Sequence, residues 1–178
     1  TIFHNSGFYA CFNTNTSNKY FIHNKVKKDQ TIFSKNFLQI KPNSNIIIFE
    51  QFDNQFKSNT NIVNYFEIEK NSRVLHFVFQ ENEKDANLQF TNYVNCYEKS
   101  FYKQVIFNAS KTSIRNHNYA NLLGIQSRAE LQGIFLGGAN NIIDNKTVAN
   151  HYAPFCTSNQ IYKGVLINKA KASHLSKA

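Results

Sequence analysis

Short runs of alternating apolar and polar residues recur at a nearly constant interval along this chain, and no other feature constrains its fold as strongly. The runs begin near residues 46, 62, 73, 88, 102, 114, 128, 145 and 159, so that beyond residue 73 the interval is roughly 14 residues. Sustained apolar stripes at helical spacing are missing. This spacing predicts an all-β chain with few or no helices, built as a sandwich, a barrel or a β-solenoid.

Two segments show the alternation most clearly. In the segment 73–80 (RVLHFVFQ), we expect the even-numbered side chains, His76 among them, to point to one face and the odd-numbered ones to the other. In the segment 127–138 (SRAELQGIFLGG), polar side chains such as Arg128 and Glu130 alternate with apolar ones. Each segment is therefore predicted to be a strand with two different faces.

Turn chemistry favours a solenoid over the antiparallel folds. The chain has 6 Gly and 2 Pro and contains no Asn-Gly or Asp-Gly pair, so it lacks the usual residues of tight hairpins. It has 27 Asn, which tolerate the left-handed backbone conformation that solenoid bends require. We expect bends at Asn-rich segments such as 116–121 and 140–141, and we predict a parallel β-helix.

Domain organisation follows from the length and from the position of the strand-like runs. The 178 residues suit a single β-helix domain spanning 1–178. Residues 1–40 are less regular than the remainder. Their phenylalanines are expected to form a cap over one end of the stack: Phe8, Phe12, Phe21, Phe33 and Phe37. Solenoids need such caps because an open end exposes apolar side chains and strand edges.

The chain is basic, with 20 Lys and Arg against 11 Asp and Glu and a formal net charge of +9. Its lysines are scattered, the densest group being Lys25, Lys27 and Lys28, which indicates a solvated basic surface. We therefore do not expect nucleic acid as a partner, although a basic β-solenoid binding module stays open as an alternative. The longest apolar runs are too short to cross a bilayer, so we predict a cytoplasmic protein without a membrane partner.

Few residues have the chemistry or the spacing of an active site. Three cysteines without a CxxC pair make neither a disulfide framework nor a zinc site. Cys156 and His151 are candidate metal ligands, but a buried cysteine and a turn histidine are the commoner cases. Glu130 and Asp144 are the only carboxylates between residues 99 and 178, which argues against a carbohydrate-acting β-helix enzyme, the other alternative. We expect no catalytic residue.

The C-terminal third carries a more specific pattern, SRAELQGIFLGGANNIIDNKTVANHYAPFCTSNQIYKGVLINKAKAS. Within it stands the motif Cys-x-Ser-x-Gln-x-Tyr-Lys-Gly. Its residues are Cys156, Ser158, Gln160, Tyr162, Lys163 and Gly164. The segment resembles the SufB/SufD family of iron–sulfur cluster assembly proteins, and the SufD branch in particular. The resemblance is specific over roughly residues 124–172 and looser upstream to about residue 40.

This resemblance implies a right-handed parallel β-helix that is the core domain of a non-catalytic scaffold subunit. It implies a SufBCD-type complex with a SufB-like protein and a SufC-like ATPase, and self-association through the solenoid end is a further expectation. The family's C-terminal helical domain and its Asp-Val-x-Cys-Ser-His-Gly stretch are expected to be absent from these 178 residues. The six motif residues are therefore expected to be structural. No cofactor is expected in this segment, an iron–sulfur cluster being possible for the assembled complex.

Overall fold

The computed structural model describes residues 6–13, 17–26, 30–54, 57–82, 86–138 and 140–178, and these form a parallel β-solenoid. The strands are β1 (Ser6–Phe12), β2 (Asn18–Val26), β3 (Gln30–Ile40), β4 (Asn45–Asn54), β5 (Ser58–Ile68), β6 (Arg73–Asn82), β7 (Ala86–Cys96), β8 (Phe101–Asn108), β9 (Ser113–Leu122), β10 (Arg128–Gly137), β11 (Ile142–His151), β12 (Thr157–Leu166) and β13 (Lys171–Lys177). The predicted fold class, all-β and solenoidal, is confirmed. The described residues include no helix that could cross a membrane.

Successive strands alternate between two sheets, which explains the interval seen in the sequence. The odd-numbered strands form sheet A in the order β1-β3-β5-β7-β9-β11-β13, and the even-numbered strands form sheet B in the order β12-β10-β8-β6-β4-β2. A residue therefore pairs with one a full turn away, as Asn36 pairs with Asn64, 28 residues later. The interval of roughly 14 residues is half a turn.

The two faces of each strand differ as the alternation predicts. In β6 the side chains of Val74, His76 and Val78 are buried in the interior, whereas the odd-numbered side chains face outward. In β10, Ala129 and Leu131 are buried inside the stack. Glu130 faces outward and is nevertheless only 8% exposed, because Lys103 and Arg128 cover it.

The regular stack extends further towards the N-terminus than the sequence indicates. Strands β1, β2 and β3 lie within residues 1–40 and pair in parallel register with the strands that follow. Of the five phenylalanines expected to cap an end, Phe12 is buried in the core and the others are exposed, Phe21 by 77%. Phe21, Phe33 and Phe37 are exposed because strand alternation directs them outward.

The corners that lead from sheet A to sheet B share one backbone feature. A residue with positive φ is followed at once by a buried or half-buried small residue. The positive-φ residues at these corners are Asn43, Asn71, Lys99, Gln126 and Phe155, and Asn168 has a positive φ at the opposite corner, between β12 and β13. Asn43 and Asn71 fit the expected use of asparagine at bends. Asn116 and Asn118 do not, because both lie within β9 and point into the interior.

Interior asparagines are stabilised by stacking. Parallel strands place identical side chains one above another, so that each amide can donate to the next. Asn36 Nδ2 donates to Asn64 Oδ1 at 2.8 Å, and Asn92 Nδ2 donates to Asn118 Oδ1 at 3.0 Å. The core therefore contains apolar side chains with interior amides beside them. Asn64 donates to Glu50 instead of continuing to Asn92, and Asn118 Nδ2 lies 3.5 Å from the Tyr162 hydroxyl near the C-terminal end of the stack.

Candidate functional site

The motif 156–164 begins at a corner and continues into β12, the last strand of sheet B. Its period of two places Ser158, Gln160 and Tyr162 on the inner side, where they are half-buried. Lys163 is exposed on the outer side. The candidate site is thus the interior of the last turn, with the terminal residues of β11 and β13 around it.

Cys156 continues a column of corner serines. Ser44, Ser72, Ser100 and Ser127 are buried at the same corner of the four preceding turns. The sulfur of Cys156 lies 3.3 Å from Ser127 Oγ and 3.3 Å from the carbonyl oxygen of Gly124, to which the thiol donates. The side chain also packs against the apolar core. The thiol therefore occupies the place of a serine hydroxyl and points into the stack.

His151 is exposed at the end of β11, and its Nε2 makes a 2.9 Å hydrogen bond with the Ser158 hydroxyl. The structure therefore joins His151 to the motif through Ser158, while the contacts of Cys156 are with Ser127 and Gly124. Within the described part of the chain, no group of three or more His, Cys, Asp or Glu is arranged to hold a metal ion. The two candidate metal ligands, Cys156 and His151, therefore have different contact partners.

The other cysteines differ from Cys156 in exposure. Cys11 is exposed near the start of the stack, and Cys96 is fully buried. Burial raises the pKa of Cys96 to about 12, so its thiol stays protonated at neutral pH and is a poor metal ligand or nucleophile.

Two glycines make room for the aromatic rings of the last turns. A Cβ added to Gly133 would lie 2.3 Å from the ring of Tyr162, its register partner. A Cβ added to Gly164 would lie 2.1 Å from the ring of Phe135, again its register partner. Strands β10 and β12 therefore interlock through two reciprocal pairs of a large and a small residue. The motif residues Tyr162 and Gly164 are parts of this packing.

The motif glutamine ties β12 to β13. Gln160 Nε2 donates to the carbonyl oxygen of Lys177 at 2.8 Å, and Ser176 Oγ donates to Gln160 Oε1 at 2.9 Å. The Tyr162 ring lies 4.4 Å from the ring of His174, centroid to centroid. The interior of the last turn is therefore filled by polar side chains that bond to one another.

A second polar cluster, which the sequence did not reveal, lies deep in the stack. His76 Nδ1 is 2.9 Å from the Tyr102 hydroxyl and His76 Nε2 is 3.0 Å from Glu50 Oε2. All three residues are fully buried or nearly so. Asn64 and Asn24 each donate to a Glu50 oxygen at 2.9 Å. The sequence places His76 on the same face as Val74 and Val78, but it indicates neither that this face is the interior nor the partner of His76, 26 residues earlier.

The Tyr102 phenol keeps its proton, because burial, and after it the charge of Glu50, raises the pKa of Tyr102 well above its usual value. A protonated phenol can donate to Nδ1 of His76, whose Nε2–H then donates to Glu50. The geometry is that of an acid–base relay, but all its members are sealed from solvent. A substrate has no access to it, and its effect is on stability.

A comparison with protein-family models matches residues 21–177 to the SufBD core domain of the SUF system for iron–sulfur cluster assembly. The matched range begins within β2 and ends in β13, so it includes nearly the whole stack and all six motif residues. No curated protein and no solved structure matches the chain.

Proposed function

The chain belongs to the SufBD core-domain family of the SUF system for iron–sulfur cluster assembly, and on this basis we propose that it is a non-catalytic scaffold subunit of the assembly complex. The observation that carries the proposal is the family match over residues 21–177. In this role the solenoid is a rigid body on which partners are placed, and the cluster under construction is its cargo.

The state of the reactive side chains supports a scaffold role. Cys156 replaces a corner serine, Cys96 is buried with a raised pKa, and His76 is sealed in the core with Glu50. Nucleophilic or acid–base catalysis needs such groups within reach of a substrate. The three free thiols also fit a reducing compartment, and we propose a cytoplasmic location on this ground.

The finer assignment, to the SufD branch, rests on the motif 156–164. It makes a SufB-like protein and a SufC-like ATPase the proposed partners. The C-terminal end of the stack is the proposed contact for the SufB-like protein. Among the residues that the structure describes, β12 and β13 each pair with a strand on one side of their sheets, and the other edge of each strand is the proposed place for another chain to add. A second copy of the chain would use the same edge.

The test is anaerobic co-purification of the tagged full-length gene product with SufB-like and SufC-like proteins, followed by iron and sulfide analysis. A stable ternary complex carrying iron and acid-labile sulfide is the expected result. A matched control is the same chain with Ala172→Pro and His174→Pro. Because Lys171 N–H donates back to Asn141, the N–H groups of these alternate residues point to the free edge of β13, and proline removes them there. Recovery of the unmodified protein alone and free of iron would contradict the proposal.

One observation favours a second candidate function, binding of a polar ligand such as a glycan. A groove of about 360 Å³ on the outer side of sheet A is lined by amides, among them Asn87 and Gln89, and ends at Asp144. Its carboxylate is paired with Arg115 at 3.1 Å. Hydrolysis needs a pair of carboxyl groups, so this groove is suited to binding and not to cleavage. Glycan-array binding that is lost in Asn87→Ala would support this alternative.

A further inference from the structure

We propose that the outer side of sheet B is a docking surface for an acidic amphipathic helix of a protein partner. This side, here called the apolar face, consists of the outward side chains of β4, β6, β8 and β10, with a basic corner at the start of these strands. The proposal goes beyond the scaffold role above and does not depend on it.

Aromatic and aliphatic side chains cover the apolar face. Phe49 and Phe77 stack in register with ring centroids 5.4 Å apart. The next column along the strands contains Phe79, Phe107 and Ile134, which are 41%, 40% and 48% exposed. Large apolar side chains side by side on a sheet form a contiguous patch, and such patches on soluble proteins mark interaction sites.

The outer side of sheet A is more polar than this face, although it also contains aromatic rings. Asn150 donates to Asn121 at 2.9 Å, Asn121 to Asn95 at 3.0 Å, and Asn95 to Glu67 at 2.7 Å. Beside this amide column the rings of sheet A are stacked in a column of their own: Phe37, Tyr65, Tyr93 and Tyr119. What distinguishes sheet B is that its exposed phenylalanines share a face with the basic corner.

The basic corner makes one end of the apolar face positively charged. Arg73, Lys99, Lys103 and Arg128 line a cavity of about 430 Å³, together with Phe101 and a single carboxylate, Glu130. Glu130 is bound by Lys103 at 3.1 Å and by Arg128, and Lys99 pairs with Glu98 at 3.6 Å, so the four cations meet two anions there. The guanidinium groups of Arg73 and Arg128 lie 4.7 and 5.4 Å from the centroid of the Phe101 ring. This cationic pocket, in which Arg73, Lys99 and Arg128 are exposed, is suited to carboxylates.

The distance between the corner and the apolar columns sets the size of the partner segment. Phe101 and Phe107 are six positions apart on β8, which corresponds to roughly 20 Å. A helix of about 14 residues covers that distance. The segment that fits therefore has an apolar stripe along its length and Glu or Asp at one end.

Charge argues for this occupant over two others. A second copy of the chain would bring together two molecules of net charge +9, each with the same basic corner. A membrane with anionic lipids would be attracted by the corner but repelled by Glu81, which is exposed at the opposite end of β6. Of the densest lysine group in the sequence, Lys27 and Lys28 lie outside the described residues, and they have no part in the proposal.

The experiment measures binding of a synthetic helical peptide to the full chain by fluorescence anisotropy. The peptide has about 14 residues, a leucine stripe and glutamates at one end; a scrambled peptide and one with lysine for glutamate are the controls. Two double variants test the surface: Phe79→Ser with Phe107→Ser, and Arg73→Glu with Arg128→Glu. Ile142→Ser and Lys146→Glu, on the outer side of sheet A, are the matched control variants.

We expect binding of the glutamate peptide to weaken about ten-fold or more in either double variant and to be unchanged in the control variants. The variant with Arg73→Glu and Arg128→Glu should instead bind the lysine peptide. Circular dichroism and thermal unfolding confirm that each variant is folded.

Three results would overturn the proposal. The first is equal affinity for the glutamate and scrambled peptides. The second is co-sedimentation of the chain with phosphatidylserine vesicles that is lost in the Phe79→Ser, Phe107→Ser variant, which would make the face a membrane contact. The third is a dimer in sedimentation velocity that the same variant dissociates, which would make it an interface between two copies.

Discussion

The Tyr162 ring fills the space that Gly133 leaves on the neighbouring strand. The two residues are register partners in β12 and β10, and a Cβ on Gly133 would lie 2.3 Å from Tyr162 Cε1. Phe135 and Gly164 repeat the arrangement two positions along, with the large residue on the other strand. The turn that carries the family motif therefore interlocks with the preceding turn. This packing fixes the register of β12 relative to β10.

Gly133→Ala should therefore destabilise the fold by about 1–3 kcal/mol, because the added methyl group forces the Tyr162 ring from its position. Urea denaturation gives the free energy of unfolding. Gly138→Ala is the matched control: its nearest side-chain atom, on Ile167, would be 3.7 Å away, an ordinary contact. Combining Gly133→Ala with Tyr162→Leu should cost less than the sum of the two changes. Strict additivity would show that the two residues do not interact.

The buried cluster in the middle of the stack supports a second stability prediction. Tyr102→Phe leaves Nδ1 of His76 without its 2.9 Å partner, in a place that water cannot reach. The cost of such an unsatisfied group is about 1–3 kcal/mol. Tyr65→Phe removes a hydroxyl from the outer side of sheet A, where the ring keeps its stacking with Tyr93, and should change stability by less than about 0.5 kcal/mol. Equal effects of the two changes would contradict the assigned hydrogen bond.

The fold could be predicted because its signals are local. Period-two alternation separates the two faces of each strand, and it correctly grouped His76 with Val74 and Val78, although only the structure shows that this face is the interior. Even spacing of the strands indicated the solenoid without any knowledge of which strands pair. The start of the stack was missed because β2 has inner positions such as Asn18 and Asn24 that are polar, so the apolar half of the alternation is weak there.

The contacts of the candidate site could not be predicted, since they depend on register. Partners in adjacent turns lie between 26 and 29 residues apart, as in the pairs His76–Tyr102 and Ser127–Cys156, and the offset depends on the corners. A change of one residue would exchange the inner and outer faces. The same uncertainty in register explains why the prediction of a bend at Asn116 and Asn118 was wrong: both side chains lie in the interior.

Asp144 should make the fold more stable above its own pKa. The hydrogen bond from Ser173 Oγ at 2.7 Å, and after it the charges of Arg115 and His117, hold the pKa of Asp144 below its usual value of 3.8, although partial burial opposes the shift. A carboxyl group whose folded-state pKa is lowered stabilises the fold above its unfolded-state pKa, and this stabilisation is lost as the pH falls through the folded-state pKa. The thermal midpoint of Asp144→Asn should therefore lie below that of the unmodified chain at neutral pH.

The difference between the thermal midpoints of the unmodified chain and of Asp144→Asn should disappear as the pH drops below 3.8. Ser173→Ala is the control, and it should remove the largest part of the shift while keeping the ion pair with Arg115. A gap that stays constant through the acid range would show that the carboxylate charge is not involved.

The three thiols should react with iodoacetamide in an order set by their surroundings. Cys11 is exposed and should react first. Cys156 should follow, because its sulfur is turned towards Ser127 and Gly124. Cys96 is fully buried with a pKa raised to about 12 and should react only after unfolding in urea. Mass spectrometry of timed samples gives the order. Early labelling of Cys96 in the native protein would contradict the described core.

Replacing Cys156 separates the structural role of its thiol from a role in holding the cargo. Because Ser44, Ser72, Ser100 and Ser127 fill the same corner, Cys156→Ser should extend the column and change the free energy of unfolding by less than about 1 kcal/mol. In the co-purified complex, the variant should then carry as much iron and sulfide as the unmodified chain. His151→Gln is the parallel control, since it can still bond to Ser158. Loss of iron in Cys156→Ser at unchanged stability would make this thiol a cluster ligand and would contradict its proposed structural role.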